Sequence, residues 1–171
     1  MAMGALTAWG ISALINAGLI LPVTRVPVLT RSGWWHAWAL GTVLGATLGW
    51  HGWLAVVLYL GLGSAVTKLG FARKAELGIA EARGGRRGPE NVWGSAATGA
   101  TLALLSQVPG APTPLLMVGF VASFAAKLGD TCGSEIGKRW GRTTISLSRL
   151  QAVPPGTEGA VSLEGTLASL V

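Results

Sequence analysis

Charge is scarce in this 171-residue sequence: Asp, Glu, Lys and Arg make up 12% of it, against roughly 25% in an ordinary soluble domain. Half of the residues are apolar, with 26 glycines, 8 tryptophans and a mean hydropathy of +0.53. That combination excludes a water-soluble globule. Cysteine occurs once, as Cys132, which excludes an internal disulfide, and with no His beside it in the sequence this thiol is a poor metal ligand or nucleophile. The two histidines, His36 and His51, lie 15 residues apart near opposite ends of one apolar stretch, too far to share a metal.

The charge is missing in blocks. Met1–Thr24, Ser32–Thr67 and Asn91–Ala126 hold no charged residue over 24, 36 and 36 positions. A helix needs about 20 apolar residues to cross about 30 Å of hydrocarbon. The first block therefore fits one span. Each longer block is broken near its middle, by Gly49-Trp50-His51-Gly52 and by Pro109-Gly110-Ala111-Pro112-Thr113-Pro114, and fits two short spans. No basic segment precedes the first apolar stretch and Arg25 follows it, which favours a retained helix over a cleaved signal peptide. The expectation is an all-α, polytopic integral membrane bundle of five spans with a partial sixth helix, residues 1–171 forming a single membrane domain.

The 13 basic residues then fall on one side. Arg25 and Arg31 follow span one, six lie from Lys68 to Arg87 after span three, and five lie from Lys127 to Arg149 after span five. By the positive-inside rule these loops are cytoplasmic and the N-terminus lies outside. One helix more or fewer would scatter the charge over both faces. Trp34, Trp35, Trp38, Trp50, Trp53 and Trp93 flank the spans, as interface anchors do. A net charge of +6 raises the question of nucleic acid, but the basic residues border spans without alternating with stacking aromatics. The expected partner is the lipid bilayer, with no nucleic acid.

Two cytoplasmic segments, 68–92 and 127–159, mix glycine, acids, amides and bases more densely than orientation requires. In the first, Arg86 and Arg87 offer planar forks for phosphate oxygens, and Pro89-Glu90-Asn91 opens a helix whose N-terminal amides favour an anion. The plain alternative is a solvated basic loop. In the second, Gly129, Gly133, Gly137 and Gly141 recur every four residues and form one ridge on a helix, with Asp130 and Ser134 beside it. Such a ridge admits another backbone or a ligand. A small-residue packing face is the alternative, although Asp130, Glu135, Lys138, Arg139 and Arg142 make the stretch too polar for lipid contact.

This is not a Walker A loop, because three residues separate Gly133 from Gly137 and Arg139 stands where the metal-binding hydroxyl belongs. Further on, Pro154-Pro155-Gly156-Thr157-Glu158-Gly159 predicts a helix capped by Thr157, with Glu158, Ser162, Thr166 and Ser169 on one face. An acid in such a first turn can hold a metal beside phosphates; an amphipathic cap is the alternative.

Gly85–Val92, Gly129–Gly141 and Pro155–Thr166, in that order, closely resemble the membrane family that contains phytyl-phosphate kinase of photosynthetic organisms and transmembrane protein nineteen of animals. The resemblance runs from about Leu29 to the C-terminus. The pattern Asp130-x-x-Gly133-x-x-x-Gly137-x-x-x-Gly141 followed by Thr157-Glu158-Gly159 also resembles the CTP-binding signature of the dolichol and phytol kinases. It departs from that signature in carrying Pro-Pro-Gly-Thr where those kinases have a Lys-Lys-Thr element.

The resemblance implies phosphoryl transfer from CTP, with Mg²⁺, to an isoprenyl monophosphate such as phytyl phosphate. It implies that Asp130, Glu135, Lys138 and Arg142 are catalytic, with Asp130 and Glu158 on the metal. Gly133, Ser134, Gly137, Gly141, Gly156, Thr157, Glu158 and Gly159 would hold the nucleotide. Lys74, Arg86, Arg87 and Asn91 would hold the lipid phosphate. Two other classes stay open: a membrane cytidylyltransferase, and a non-enzymatic lipid or ion transporter. The transporter expects an ionisable residue deep in a span, and none of the five contains Asp, Glu, Lys or Arg. Members of the resembling family continue through further apolar sequence, so the chain is expected to be a C-terminally truncated or unusually short member.

Overall fold

The computed structural model describes residues 2–170, with side chains from residue 6 onward. It is a mainly helical membrane protein: α1 (Ala2–Ile20), α2 (Arg31–Lys68), α3 (Phe71–Glu76), α4 (Pro89–Leu105), α5 (Thr113–Trp140) and α6 (Leu163–Ala168). Among the described residues, three helical stretches are long and apolar enough to cross a membrane, Leu6–Val23, Arg31–Lys68 and Thr113–Trp140. The chain divides into two compact units. Met1–Tyr59 with Arg86–Phe124 forms the first, and Leu60–Gly85 with Ala125–Val171 forms the second.

In the first unit, α2 is two helices in one. Gly49 sits at φ 64°, ψ −151° within it, a conformation essentially restricted to glycine. The limbs fold back there. The Asn16 amide donates to the Trp38 carbonyl at 2.6 Å and accepts from Trp53 Nε1 at 3.2 Å. Residues 38 and 53 of a straight helix would stand about 22 Å apart, beyond the reach of one side chain. Helix therefore occupies every stretch read as a span. Gly41 and Gly45 let Asn16 and Ser12 of α1 approach α2, where Ser12 Oγ donates to the Thr42 carbonyl at 3.0 Å. Leu40, Leu44, Ala96, Ala100, Ala103, Phe120 and Phe124 fill the core of this unit.

The second unit contains what the helical reading did not include, a three-stranded antiparallel sheet of β1 (Thr144–Ser146), β2 (Gln151–Ala152) and β3 (Ala160–Ser162) in the order β2-β1-β3. The sixth helix is correspondingly shorter than expected. Thr157 does not cap it: its hydroxyl donates to the Pro154 carbonyl at 2.7 Å within a turn. Gly156 and Gly159 take φ of 86° and 71°, which bends the chain so that residues 160–162 pair with β1. The cap of α6 is Ser162, whose hydroxyl accepts from the Gly165 amide at 3.1 Å.

Candidate functional site

The glycine ridge is helical, and a backbone occupies part of it. A Cβ on Gly129 would stand 2.6 Å from the Ser169 carbonyl oxygen, and one on Gly133 would stand 3.0 Å from the carbonyl oxygen of Gly165. One on Gly137 would meet Ser162 Oγ at 3.2 Å. The segment 162–169 thus lies directly on α5, as two helices with small residues at the contact can. Gly141, just past the end of α5, packs on Ser162 in the same way.

Beside this contact opens a cavity of about 570 Å³, within the size range of small-molecule sites. From α5 it is lined by Asp130, Gly133, Ser134, Gly137 and Lys138. The turn Gly156-Thr157-Glu158-Gly159 forms another wall, and the sheet and α6 supply the rest, including Thr144, Leu147, Val161 and Thr166. Nine of the residues given a catalytic, nucleotide or metal role from sequence converge here, five on α5 and four on the turn.

The charged wall has a definite arrangement. Asp130 is exposed and pairs with Lys127 at 2.7 Å, one helical turn back. Ser134 Oγ donates to the Asp130 carbonyl at 2.9 Å. Lys138 Nζ lies 3.0 Å from Glu81 Oε1 and 3.3 Å from Glu135 Oε1. Lys138 lies in the charged end of α5, beyond its apolar stretch. Burial pulls its ammonium toward the neutral form, but the hydrogen bond and charge of Glu81 and the charge of Glu135 outweigh this and hold its pKa above the ordinary lysine value. Lys138 is therefore a fixed cation on a wall that also carries the carboxyl groups of Asp130 and Glu158.

Four sequence expectations are corrected here. Lys74 is not a surface cation open to a lipid phosphate: it is fully buried, its ammonium held by Glu135 Oε2 and, at 2.9 Å, by the Thr67 carbonyl. Glu135, expected to be catalytic, does not line the cavity, because its two oxygens go to Lys74 and Lys138. Gly141 and Arg142 do not line the cavity; the first packs on Ser162 and the second donates its backbone N–H to Glu164 Oε1 at 3.4 Å.

Arg86, Arg87 and Asn91 belong to the first unit. There Arg87 Nη1 donates to Tyr59 Oη at 2.8 Å, with its guanidinium over the Tyr59 ring, and the Tyr59 hydroxyl also meets Ser95 Oγ at 2.6 Å. Asn91 caps α4, its carbonyl accepting from the Gly88 amide at 2.9 Å. Sequence reasoning missed Glu81, Thr144 and Leu147, which carry no spacing signal.

The donor set suits Mg²⁺. Asp130 and Ser134 on α5, and Glu158 and Thr157 on the turn, present hard oxygen ligands to the cavity, and Mg²⁺ is commonly bound by one or two carboxylates together with substrate phosphates. Two carboxylates against one lysine would repel a bare polyphosphate; a divalent cation reverses that balance.

The family model described as integral membrane protein DUF92 matches residues 4–171. An uncharacterized membrane protein of Synechocystis, sll0875, is 50% identical over 163 residues, covering 94% of this chain and 63% of that protein. Protein VTE6, chloroplastic, of Arabidopsis thaliana is 48% identical over 167 residues, covering 94% of this chain and 50% of that protein. The chain thus spans between half and two thirds of the length of these curated relatives. No solved structure matches. With a family match over nearly its whole length, the chain belongs to the integral membrane protein DUF92 family.

Proposed function

We propose that this chain catalyses CTP-dependent phosphorylation of an isoprenyl monophosphate of the phytyl-phosphate kind to the diphosphate, at the cytoplasmic face of the membrane. The observation that carries this reading is the convergence of Asp130, Lys138 and the Thr157-Glu158-Gly159 turn on one cavity. Phosphoryl transfer relies on positioning and charge stabilisation rather than covalent catalysis.

Asp130 and Glu158 would hold Mg²⁺, which supplies positive charge against the phosphates. Lys138, pinned by Glu81 and Glu135, neutralises charge on the transferred group without having to reorganise. An oxygen of the acceptor monophosphate forms the new bond to the terminal phosphorus of CTP, the bond from that phosphorus to its bridging oxygen breaks, and CDP leaves. The acceptor oxygen is already anionic, so no strong general base is required. Arg86 and Arg87 remain candidates for anionic headgroups.

The experiment is to incubate purified protein with Mg²⁺, phytyl phosphate and either CTP or ATP, then identify the lipid product and the nucleotide released. Phytyl diphosphate with CDP supports the reading. Release of pyrophosphate favours a cytidylyltransferase, and absence of diphosphate from every prenyl phosphate overturns the kinase.

A further inference from the structure

The small sheet is inside out. Its polar side chains point inward: Thr144, Ser146 and Ser162 are 8%, 5% and 6% exposed. Its apolar ones point outward: Ile145 and Val161, cross-strand partners, are each 40% exposed, and Leu147, next on that face, is 61% exposed. Ala152, opposite Ile145 on the third strand, is exposed as well. A sheet standing in water shows the reverse alternation. The helix that follows repeats the inversion, with Gly165 and Ser162 on α5 and Leu163 and Leu167 exposed. Exposed apolar faces of this kind mark an interaction surface.

This face is continuous with the cavity. Side chains alternate across a strand, so Leu147 and Val161 belong to the outer face, yet both also line the cavity. The lining therefore joins the charged groups of Asp130, Lys138 and Glu158 to the apolar side chains of Leu147 and Val161. At the tip beyond β1, Leu150 is 80% exposed beside the exposed Arg149, an apolar and cationic pair suited to the interface of an anionic membrane.

We propose that the outer face of this sheet, through Leu147, Val161 and Ile145, is the track for the hydrocarbon tail of the lipid phosphate whose head enters the cavity. The proposal rests on the function proposed above for its ligand class. Polarity selects the occupant: a ligand with a charged head and a hydrocarbon tail matches a site that joins charged groups to an apolar face. The tail reaches the track from the leaflet, and its head meets Lys138 without crossing water.

The test uses the full chain in nanodiscs and a geranylgeranyl monophosphate bearing a photoreactive diazirine on its tail. Photolysis followed by peptide mass spectrometry is expected to label residues 145–150 and 161, with labelling suppressed by unlabelled geranylgeranyl monophosphate but not by excess phosphatidylglycerol. Suppression by the phospholipid would mean that the face contacts bulk lipid only, and labelling confined to other segments would place the tail elsewhere; either overturns the track. Labelling does not depend on turnover, so a labelled but inactive protein preserves the track and removes the kinase. In the active protein, Leu147→Ser with Val161→Ser should raise KM for geranylgeranyl monophosphate by about tenfold or more relative to its effect on KM for dimethylallyl monophosphate. Equal losses for long and short acceptors would count against the track.

Discussion

Lys74 and Glu135 form an ion pair with 1% and 3% of their side chains exposed, between a helix of six residues and the polar end of α5. Removing Lys74 leaves the buried Glu135 carboxylate with Lys138 alone as its counter-ion; breaking a buried pair costs up to about 3–5 kcal/mol, whereas replacing both partners by neutral groups of similar size is close to neutral. Lys74→Met should therefore lower the unfolding temperature sharply, and Lys74→Met with Glu135→Gln should recover most of the loss. Tryptophan fluorescence during thermal unfolding in detergent reads both. Equal destabilisation of the single and double variants would show that the pair is not the cause.

Asp130 is 66% exposed at the cavity and accepts from Lys127, one turn back on its own helix. Asp130→Asn should change stability by no more than about 0.5 kcal/mol while lowering turnover by about a hundredfold or more. Circular dichroism and product formation separate the two effects. Near-normal turnover would remove Asp130 from the metal site.

Lys138 and Arg142 stand four residues apart on the same segment, yet only Lys138 lines the cavity. Lys138→Gln is expected to lower turnover by about tenfold or more, and Arg142→Ala to leave it near the wild-type value. A larger loss in the Arg142 variant would reverse the assignment of the cation.

The glycines predict opposite signs. On Gly129 a new methyl would meet the Ser169 carbonyl oxygen at 2.6 Å, so Gly129→Ala should push α6 off α5 and cost about 1–3 kcal/mol. In α4, a Cβ on Gly94 meets nothing within 4 Å, so Gly94→Ala should stabilise by about 0.5–1 kcal/mol through the backbone entropy that glycine loses on folding. Thermal unfolding of the two variants against the parent measures both signs.

The helices were legible because hydrocarbon imposes long charge-free runs, and the breaks at Gly49 and Pro109 are local chemistry that needs no tertiary information. The convergence of Asp130, Gly133, Ser134, Gly137 and Lys138 was half legible: helical spacing puts them near one another, but nothing in spacing says that Glu135 turns to the buried Lys74. Ion-pair choice is a long-range event between residues 74 and 135. Strand β3 was invisible for another reason. Three residues carry too little periodicity, and the turn at Gly156 and Gly159 mimics the start of a helix until β1 supplies the pairing partner. Glu81, isolated in sequence, gains its role only when Lys138 reaches it.

Asn16 makes the first three helical segments depend on one another. Its amide is completed by a carbonyl at position 38 and an indole at position 53, on the two limbs either side of Gly49. Without those partners an amide in hydrocarbon carries its full desolvation cost, so α1 and both limbs of α2 reach their final arrangement together, as one three-helix unit.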